Sequence, residues 1–169
     1  MTGGLMFFYA WALLRVSADS RYDCLCFEGC CEEGWYQYQD SCYKPVLRKT
    51  NWKDAEDQCN RLSRDTHLAS VHSDEENNYI YHLMGKLKNH RIGDAYWIGG
   101  KRDNKKKNAE FTWTDESKWK YSKFGAGQLD GLNDETYVGS YMEEPDGSVT
   151  WNDYPNTFSF PYICKTRIP

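Results

Sequence analysis

The sequence predicts a single α+β domain, and three observations lead to that class. Two segments in the first half of the chain carry apolar residues at helical spacing. Beyond His90 the helical period ends, and short pieces rich in aromatic and β-branched residues follow. A long polar stretch between Thr114 and Tyr137 has no clear period. Helices that precede a series of short strands are typical of α+β architecture.

Length and composition limit what this domain can do. The chain has 169 residues, which suits one domain of ordinary size. Its formal net charge of −4 argues against broad neutralisation of phosphates, so no nucleic-acid partner is expected. Seven cysteines are more typical of an exported protein than of a cytosolic one. No apolar run reaches about 18 residues, so we expect no membrane insertion.

The first residues predict a signal peptide. Ten apolar residues run from Leu5 to Leu14, and Val16-Ser17-Ala18 places small side chains at the positions that a signal peptidase reads. We therefore expect cleavage after Ala18 and a secreted, extracellular protein. Residues 1–18 would be the signal peptide and 19–30 a cysteine-containing N-terminal arm. The alternative interpretation of residues 1–18 is a buried terminal strand.

The elements that follow can be justified in chain order. Residues 32–43 carry a short aromatic pattern that is consistent with a hairpin closed by a Cys31–Cys42 bridge. Thr50 or Asn51 can cap a first helix. The apolar face of that helix, at spacings i, i+3, i+7 and i+10, consists of Trp52, Ala55, Cys59 and Leu62.

A second helix begins at Ser73. Glu76 stands three residues later, which is the spacing of a capping box. The helical pattern fades at Asn89 and His90. The predicted apolar face consists of Ile80, Leu83, Met84 and Leu87.

Five short pieces then predict strands. Each is bounded by polar or glycine-rich residues, and Trp97, Trp113 and Trp151 are expected to lie in the core rather than to form ligand platforms. The pieces are Tyr96-Trp97-Ile98, Phe111-Thr112-Trp113, Tyr137-Val138, Val149-Thr150-Trp151 and Tyr162-Ile163-Cys164.

Oxygen-bearing side chains in the second half of the chain indicate a calcium site. Calcium takes six to eight oxygen ligands, from carboxylates, amides and backbone carbonyls. Gln128 and Asp130 lie two residues apart, so an extended loop can turn both side chains to one face. Glu135 follows, and Asn152-Asp153 supplies an amide and a carboxylate at the end of a predicted strand. The alternative interpretation is that these are ordinary turn residues.

Taken in order, these features resemble the C-type lectin-like domain. The resemblance runs from about Cys31 to Lys165, and we take residues 31–169 as the domain. The segment from Trp113 to Asp130 is similar to galactose- and N-acetylgalactosamine-binding lectins of marine invertebrates. The matching features are Cys31-x10-Cys42, the helix with Cys59, Trp97-Ile98-Gly99, Phe111-Thr112-Trp113-Thr114-Asp115, Gln128-Leu129-Asp130, Trp151-Asn152-Asp153 and Cys164.

The resemblance implies a ligand set and a sugar preference. In the family, calcium and the bound sugar share one set of residues, which here are Gln128, Asp130, Glu135, Asn152 and Asp153. The order Gln-x-Asp accompanies galactose-type ligands in the family, whereas Glu-x-Asn accompanies mannose-type ones. Leu132 stands nearest to the position where galactose sites often carry an aromatic ring, so it is included as a sugar-contacting residue.

The resemblance also implies a disulfide between Cys59 and Cys164. The family's usual inner bridge would join the positions of Tyr137 and Asn156, and neither is a cysteine here. Once Cys31 is paired with Cys42 as well, three cysteines remain. An odd remainder in an exported protein indicates a bridge between chains, although an unpaired thiol is the alternative. These intermolecular candidates are Cys24, Cys26 and Cys30.

The sequence therefore predicts a secreted, non-enzymatic, calcium-dependent lectin for galactose or N-acetylgalactosamine. A disulfide-linked homodimer or higher oligomer would engage several glycans at once and agglutinate cells. A protein-binding member of the same fold that has lost sugar binding is the alternative, and Leu129 and Leu132 favour it. A hydrolase is disfavoured because no Ser/His/Asp or Cys/His grouping forms a motif. Residues 101–107, a basic run, predict a solvated loop tip, with anionic glycans or lipids as the alternative partner.

Overall fold

Two helices and a mixed sheet make up the part of the chain that the structure describes. The computed structural model describes residues 31–85, 95–103, 110–126, 135–143 and 147–168. None of the helices in these ranges is long and apolar enough to span a membrane. The elements are β1 (Tyr36–Tyr38), β2 (Ser41–Thr50), α1 (Trp52–Asn60), β3 (His67–Leu68), α2 (Asp74–Gly85), β4 (Tyr96–Lys101), β5 (Thr112–Trp113), β6 (Tyr137–Glu143), β7 (Ser148–Tyr154) and β8 (Phe160–Arg167).

The last strand lies in the middle of the sheet. The strand order is β1-β2-β8-β4-β6-β7, with β3 also paired to β8 and β5 to β4. Strand β8 is antiparallel to β2 and parallel to β4, where Trp97 stands opposite Tyr162. Strands β4, β6 and β7 form an antiparallel meander on the other side. This arrangement confirms the α+β class.

Helix α1 begins where the sequence predicts, but it ends earlier. Asn51 caps it by accepting a hydrogen bond from the backbone N–H of Asp54 at 2.9 Å. The side chains of Trp52, Ala55 and Cys59 are buried, as expected. Leu62 is not on the buried face: the helix ends at Asn60, and Leu62 is 47 % exposed in the turn that follows.

Helix α2 begins directly after Ser73, whose hydroxyl accepts from the backbone N–H of Glu76 at 3.1 Å. The other half of the predicted capping box differs, because the carboxylate of Glu76 accepts from the backbone N–H of His72 at 2.7 Å. Of the predicted apolar face, Ile80, Leu83 and Met84 are buried. Leu87, Asn89 and His90 lie outside the described residues.

All five predicted strand pieces lie in strands, and the three core tryptophans are buried. Two strands have no clear signal in the sequence: β3 is too short to carry a period, and residues 44–49 of β2 are half-buried or exposed. Both strands pair with β8. Their existence therefore depends on a partner that comes about a hundred residues later.

Two disulfides confirm the pairings expected for this part of the chain. Cys31 is bonded to Cys42 beside the β1–β2 hairpin, and Cys59 of α1 is bonded to Cys164 of β8. The second bridge spans 105 residues. A loop of that length lowers the entropy of the unfolded chain enough to stabilise the fold by about 4–5 kcal/mol in the chain-entropy model. Cys24, Cys26 and Cys30 lie outside the described residues.

The first part of the long polar stretch packs on Trp151. The indole of Trp151 is surrounded edge-on by Trp119, Tyr121 and Phe124, with ring centroids between 5.4 and 5.9 Å away. Its backbone N–H donates to the carbonyl of Lys123 at 2.8 Å. This segment therefore behaves as an added edge of the sheet, and it leads the chain towards residues 127–134, which lie outside the described residues.

Asn77 supplies the polar link between α2 and β7. Its side-chain amide donates to the carbonyl of Val149 at 2.8 Å and accepts from the indole N–H of Trp151 at 2.9 Å, and the residue is 2 % exposed. We expect Asn77→Ala to orphan both partners, at about 1–3 kcal/mol for each buried group. Urea unfolding would measure the change. Asn78→Ala, on the exposed side of the same helix, is the matched control, and equal effects of the two substitutions would contradict the prediction.

Candidate functional site

Three of the five predicted calcium ligands lie within the described residues. Glu135 directly precedes β6, and Asn152 and Asp153 stand near the end of β7. The antiparallel pairing of the two strands, with Thr136 N–H donating to the carbonyl of Tyr154 at 3.1 Å, brings both segments to one edge. The other predicted sugar-contacting residues, Gln128, Asp130 and Leu132, lie outside the described residues.

Asp153 is a buried acid at the end of a core strand. Its residue is 1 % exposed, and it shares the inward face of β7 with Val149 and Trp151. Asn152, the next residue back along the strand, is half-buried. A carboxylate in such a place requires a positive partner, because an uncompensated buried charge is strongly destabilising.

Arg102 is the positive partner of Asp153. Its Nη2 lies 2.6 Å from Oδ2 of Asp153. The same guanidinium donates to the backbone carbonyl of Glu135, from Nη2 at 2.8 Å and from Nε at 3.0 Å. The backbone N–H of Arg102 donates to the carbonyl of Thr136 at 3.0 Å, and its Cζ lies 5.1 Å from the centre of the Phe111 ring. Arg102 therefore joins the ends of β4 and β7 to the start of β6.

This position of Arg102 corrects one sequence expectation. The basic run of residues 101–107 predicts a solvated loop tip, and Lys101 and Asp103 are indeed exposed. The side chain of Arg102, in contrast, is 22 % exposed and turns inward. The basic run hides it, since composition does not distinguish one cation in a series from the next. The signal that could have found it is its place directly after a buried strand.

The donor chemistry at this point fits a cation. A carboxylate oxygen of Asp153 and the carbonyl oxygen of Glu135 both face the guanidinium of Arg102, and both are the kinds of oxygen that calcium prefers. The described ranges contain no group of three or more His, Cys, Asp or Glu side chains suited to a metal. A complete calcium site would therefore need ligands from residues 127–134.

Non-covalent contacts hold the positions of the missing inner disulfide. Tyr137 stacks on Trp52 with ring centroids 4.4 Å apart. The side-chain oxygen of Asn156 accepts from the backbone N–H of Lys53 at 3.1 Å. Both contacts tie the strands that flank the candidate site to the first turn of α1.

A second polar cluster lies in a cleft of about 790 Å³ at the other end of the sheet. The carboxylate of Asp115 accepts hydrogen bonds from the hydroxyls of Ser70 and Ser117, and Nε2 of His72 faces the same two hydroxyls at 3.1 and 3.4 Å. Lys165 donates to the carbonyl of Ser70 at 3.0 Å. No motif in the sequence relates these residues to one another.

The connectivity of this cluster differs from that of a nucleophilic triad. In a triad the acid holds the ring nitrogen of histidine that faces away from serine, and the histidine takes the serine proton. Here the acid, Asp115, accepts directly from the serines. Burial and the nearby charge of Lys165 lower the pKa of His72. The cluster therefore acts as a hydrogen-bonded clamp between two loops and β8.

Comparison with known proteins places this architecture in context. The family model described as "Lectin C-type domain" matches residues 48–166. The chain is 36 % identical over 124 residues to a snaclec of Echis carinatus, the coagulation factor IX/factor X-binding protein, covering 68 % of this chain and 94 % of the relative. It is 30 % identical over 139 residues to the C-type lectin galactose-binding isoform of Pseudechis porphyriacus, covering 82 % and 84 %.

A solved structure is similar along most of the described chain. The crystal structure of the C-type lectin CEL-I from Cucumaria echinata superimposes with a TM-score of 0.71 at 29 % sequence identity. The alignment covers 82 % of this chain and 99 % of CEL-I.

The clamp around Asp115 predicts a pH-dependent contribution to stability. Burial opposes ionisation, but hydrogen bonds from Ser117 and Ser70 outweigh it and lower the pKa of Asp115. A carboxyl whose folded-state pKa lies below its unfolded value stabilises the fold above the unfolded pKa, and that contribution is lost as the pH falls through the folded pKa. We expect Asp115→Asn to be less stable than the wild type by about 1–3 kcal/mol at pH 7, with the difference shrinking in acid.

Urea unfolding of both proteins between pH 7 and pH 3 would measure this difference. Glu116→Gln removes an exposed neighbouring acid and serves as the control. A difference between wild type and Asp115→Asn that stays constant with pH would contradict the assignment.

Proposed function

The chain belongs to the C-type lectin domain family, and on that premise we propose that it is a secreted, calcium-dependent lectin for galactose-type glycans. The observation that carries the proposal is the convergence of the Asp153 carboxylate and the Glu135 carbonyl on one cationic group. Oxygens of this kind, at the end of β7 and the start of β6, are suited to a calcium ion once the intervening loop adds its own ligands.

The proposed site uses five residues of this chain. Glu135, Asn152 and Asp153 belong to the sheet, which gives them fixed positions, and Gln128 and Asp130 belong to the loop before β6. When bound, calcium would offer its remaining coordination positions to vicinal hydroxyls of a sugar. The ligating side chains would also hydrogen-bond those hydroxyls, and Leu132 would supply an apolar contact.

The order of amide and acid supports a galactose-type ligand. The amide of Gln128 both donates and accepts hydrogen bonds, whereas the ionised acid of Asp130 only accepts. Exchanging the two groups would mirror the pattern of donors and thus the hydroxyl geometry that the site accepts. A galactose-binding protein among the relatives agrees with this preference.

Export and assembly belong to the same proposal. Residues 1–18 would act as the signal peptide, and the disulfides Cys31–Cys42 and Cys59–Cys164 suit an oxidising compartment. Cys24, Cys26 and Cys30 would join chains into a dimer or larger oligomer. Because a single sugar site binds weakly, several linked sites would raise avidity and allow agglutination.

One observation favours a second candidate, a domain that binds a protein without calcium or sugar. The ion pair between Arg102 and Asp153 already neutralises the buried acid without a metal. A snaclec relative is named as a binding protein for coagulation factors IX and X. Calcium binding, measured directly, separates the two candidates.

We expect the protein to be retained on galactose-bearing resin in calcium and to be released by a chelator. Acid should weaken retention as well, since carboxylates must be ionised to hold the metal. Elution profiles at pH 7 and pH 5, with and without chelator, would measure both effects. Retention that persists unchanged in excess chelator would exclude the calcium-dependent mechanism.

The double variant Gln128→Glu with Asp130→Asn is the matched control, because it keeps the formal charge and exchanges the two groups. We expect it to lose galactose resin and to gain mannose resin while it still binds calcium. Unchanged preference would contradict the role assigned to this pair.

The N-terminal cysteines give a separate prediction. We expect wild type to migrate as a dimer or larger species without reductant, and as a monomer with it. The triple variant Cys24→Ser/Cys26→Ser/Cys30→Ser should be monomeric in both conditions while keeping its fold. A monomeric wild type without reductant would disprove the interchain bridge and leave the family assignment intact.

A further inference from the structure

We propose that Arg102 competes with calcium for Asp153 and so acts as a built-in cation that sets the calcium affinity of the site. The inference rests on the proposed function and deepens it. Its starting point is a residue that neither the motif pattern nor the comparisons assign to the site.

The contacts of Arg102 resemble those of a bound cation. One guanidinium bridges a carboxylate oxygen of Asp153 at 2.6 Å and the carbonyl oxygen of Glu135 at 2.8 Å. Both oxygens come from residues in the proposed calcium set. A charge-assisted hydrogen bond of this kind is among the stronger polar contacts in proteins.

A metal ion and the guanidinium cannot share these oxygens without cost. Two positive charges at one buried carboxylate repel each other, and the low local dielectric strengthens that repulsion. Asp153 is 1 % exposed, so solvent provides little screening there. Calcium binding therefore has to break or lengthen the contacts of Arg102 before Asp153 becomes a metal ligand.

Arg102 has a route away from the acid. Its side chain is 22 % exposed, and it lies at the end of β4 between the exposed residues Lys101 and Asp103. The ring of Phe111 supports the guanidinium from one side. Its backbone stays fixed by the hydrogen bond to Thr136, so only the side chain has to move.

The arrangement has a consequence for the calcium-free protein. Arg102 neutralises Asp153 and holds the carbonyl of Glu135, so the sheet end of the site keeps its shape without metal. Loss of Arg102 would leave a buried acid without this counter-charge, and calcium would then both bind more tightly and stabilise the fold more.

Arg102→Met tests the competition, because methionine keeps the apolar contact with Phe111 and removes the charge. Lys101→Met is the matched control, since it removes one positive charge from the exposed neighbour. Isothermal titration with calcium alone and thermal unfolding in chelator or in calcium are the two measurements.

We expect Arg102→Met to bind calcium about ten- to hundredfold more tightly than wild type. In chelator its melting temperature should fall by about 5–15 °C, and calcium should restore more of that loss than it adds to wild type. Lys101→Met should match wild type in both measurements. If Arg102→Met unfolds in chelator and refolds on adding calcium, that result also supports the proposal.

The outcomes separate this inference from the proposed function. If wild type binds calcium and Arg102→Met binds it no more tightly than Lys101→Met does, only the competition is wrong. If neither wild type nor Arg102→Met binds calcium, both proposals fall. If only Arg102→Met binds it, Arg102 blocks the site, and calcium dependence of the wild type is wrong. Should Arg102→Met fail to fold even in calcium, Arg102→Lys replaces it, and an affinity equal to that of wild type overturns the competition.

Discussion

The insertion of the C-terminal strand between β2 and β4 is the constraint on which the rest of the structure depends. Strand β8 pairs with β2 and β3 on one side and with β4 on the other, so the sheet closes only when the last residues of the domain arrive. The disulfide from Cys59 to Cys164 fastens that strand to α1 and reduces the entropy that folding has to overcome. With β4 held in this way, the meander of β4, β6 and β7 has a fixed edge on which to present the candidate site.

The structure solves the problem of buried acids twice in the same manner. Glu76 in α2 is 6 % exposed, and its carboxylate lies 2.6 Å from Nζ of Lys165 in β8. Asp153 in β7 lies 2.6 Å from Arg102 at the end of β4. In each case a cation from a different element compensates the acid, so the charge also links two parts of the fold. The first pair lies beside the structural clamp around Ser70, whereas the second lies where a ligand can compete for it.

Much of the fold could be predicted because local signals and tertiary packing agree. Asn51 and Ser73 cap helices that their own short-range hydrogen bonds define, and the aromatic strand pieces carry enough apolar surface to be recognised alone. The missed features depend on distant partners. Strand β3 exists because His67 meets Lys165 across the sheet, and Leu62 is exposed because α1 stops two residues before it. Neither fact has a signature within a short window of sequence.

For the candidate site, the sequence by itself determined the family resemblance, the disulfide pairs and the set of oxygen-bearing residues, because these depend on residue type and spacing. Only the tertiary structure decided which charge faces Asp153. Arg102 lies 51 residues from its partner along the chain, inside a run of basic residues that look alike in sequence. The choice among those cations follows from the register of β4 against β6 and β7, since that register turns one side chain towards the buried acid and leaves Lys101 exposed to water.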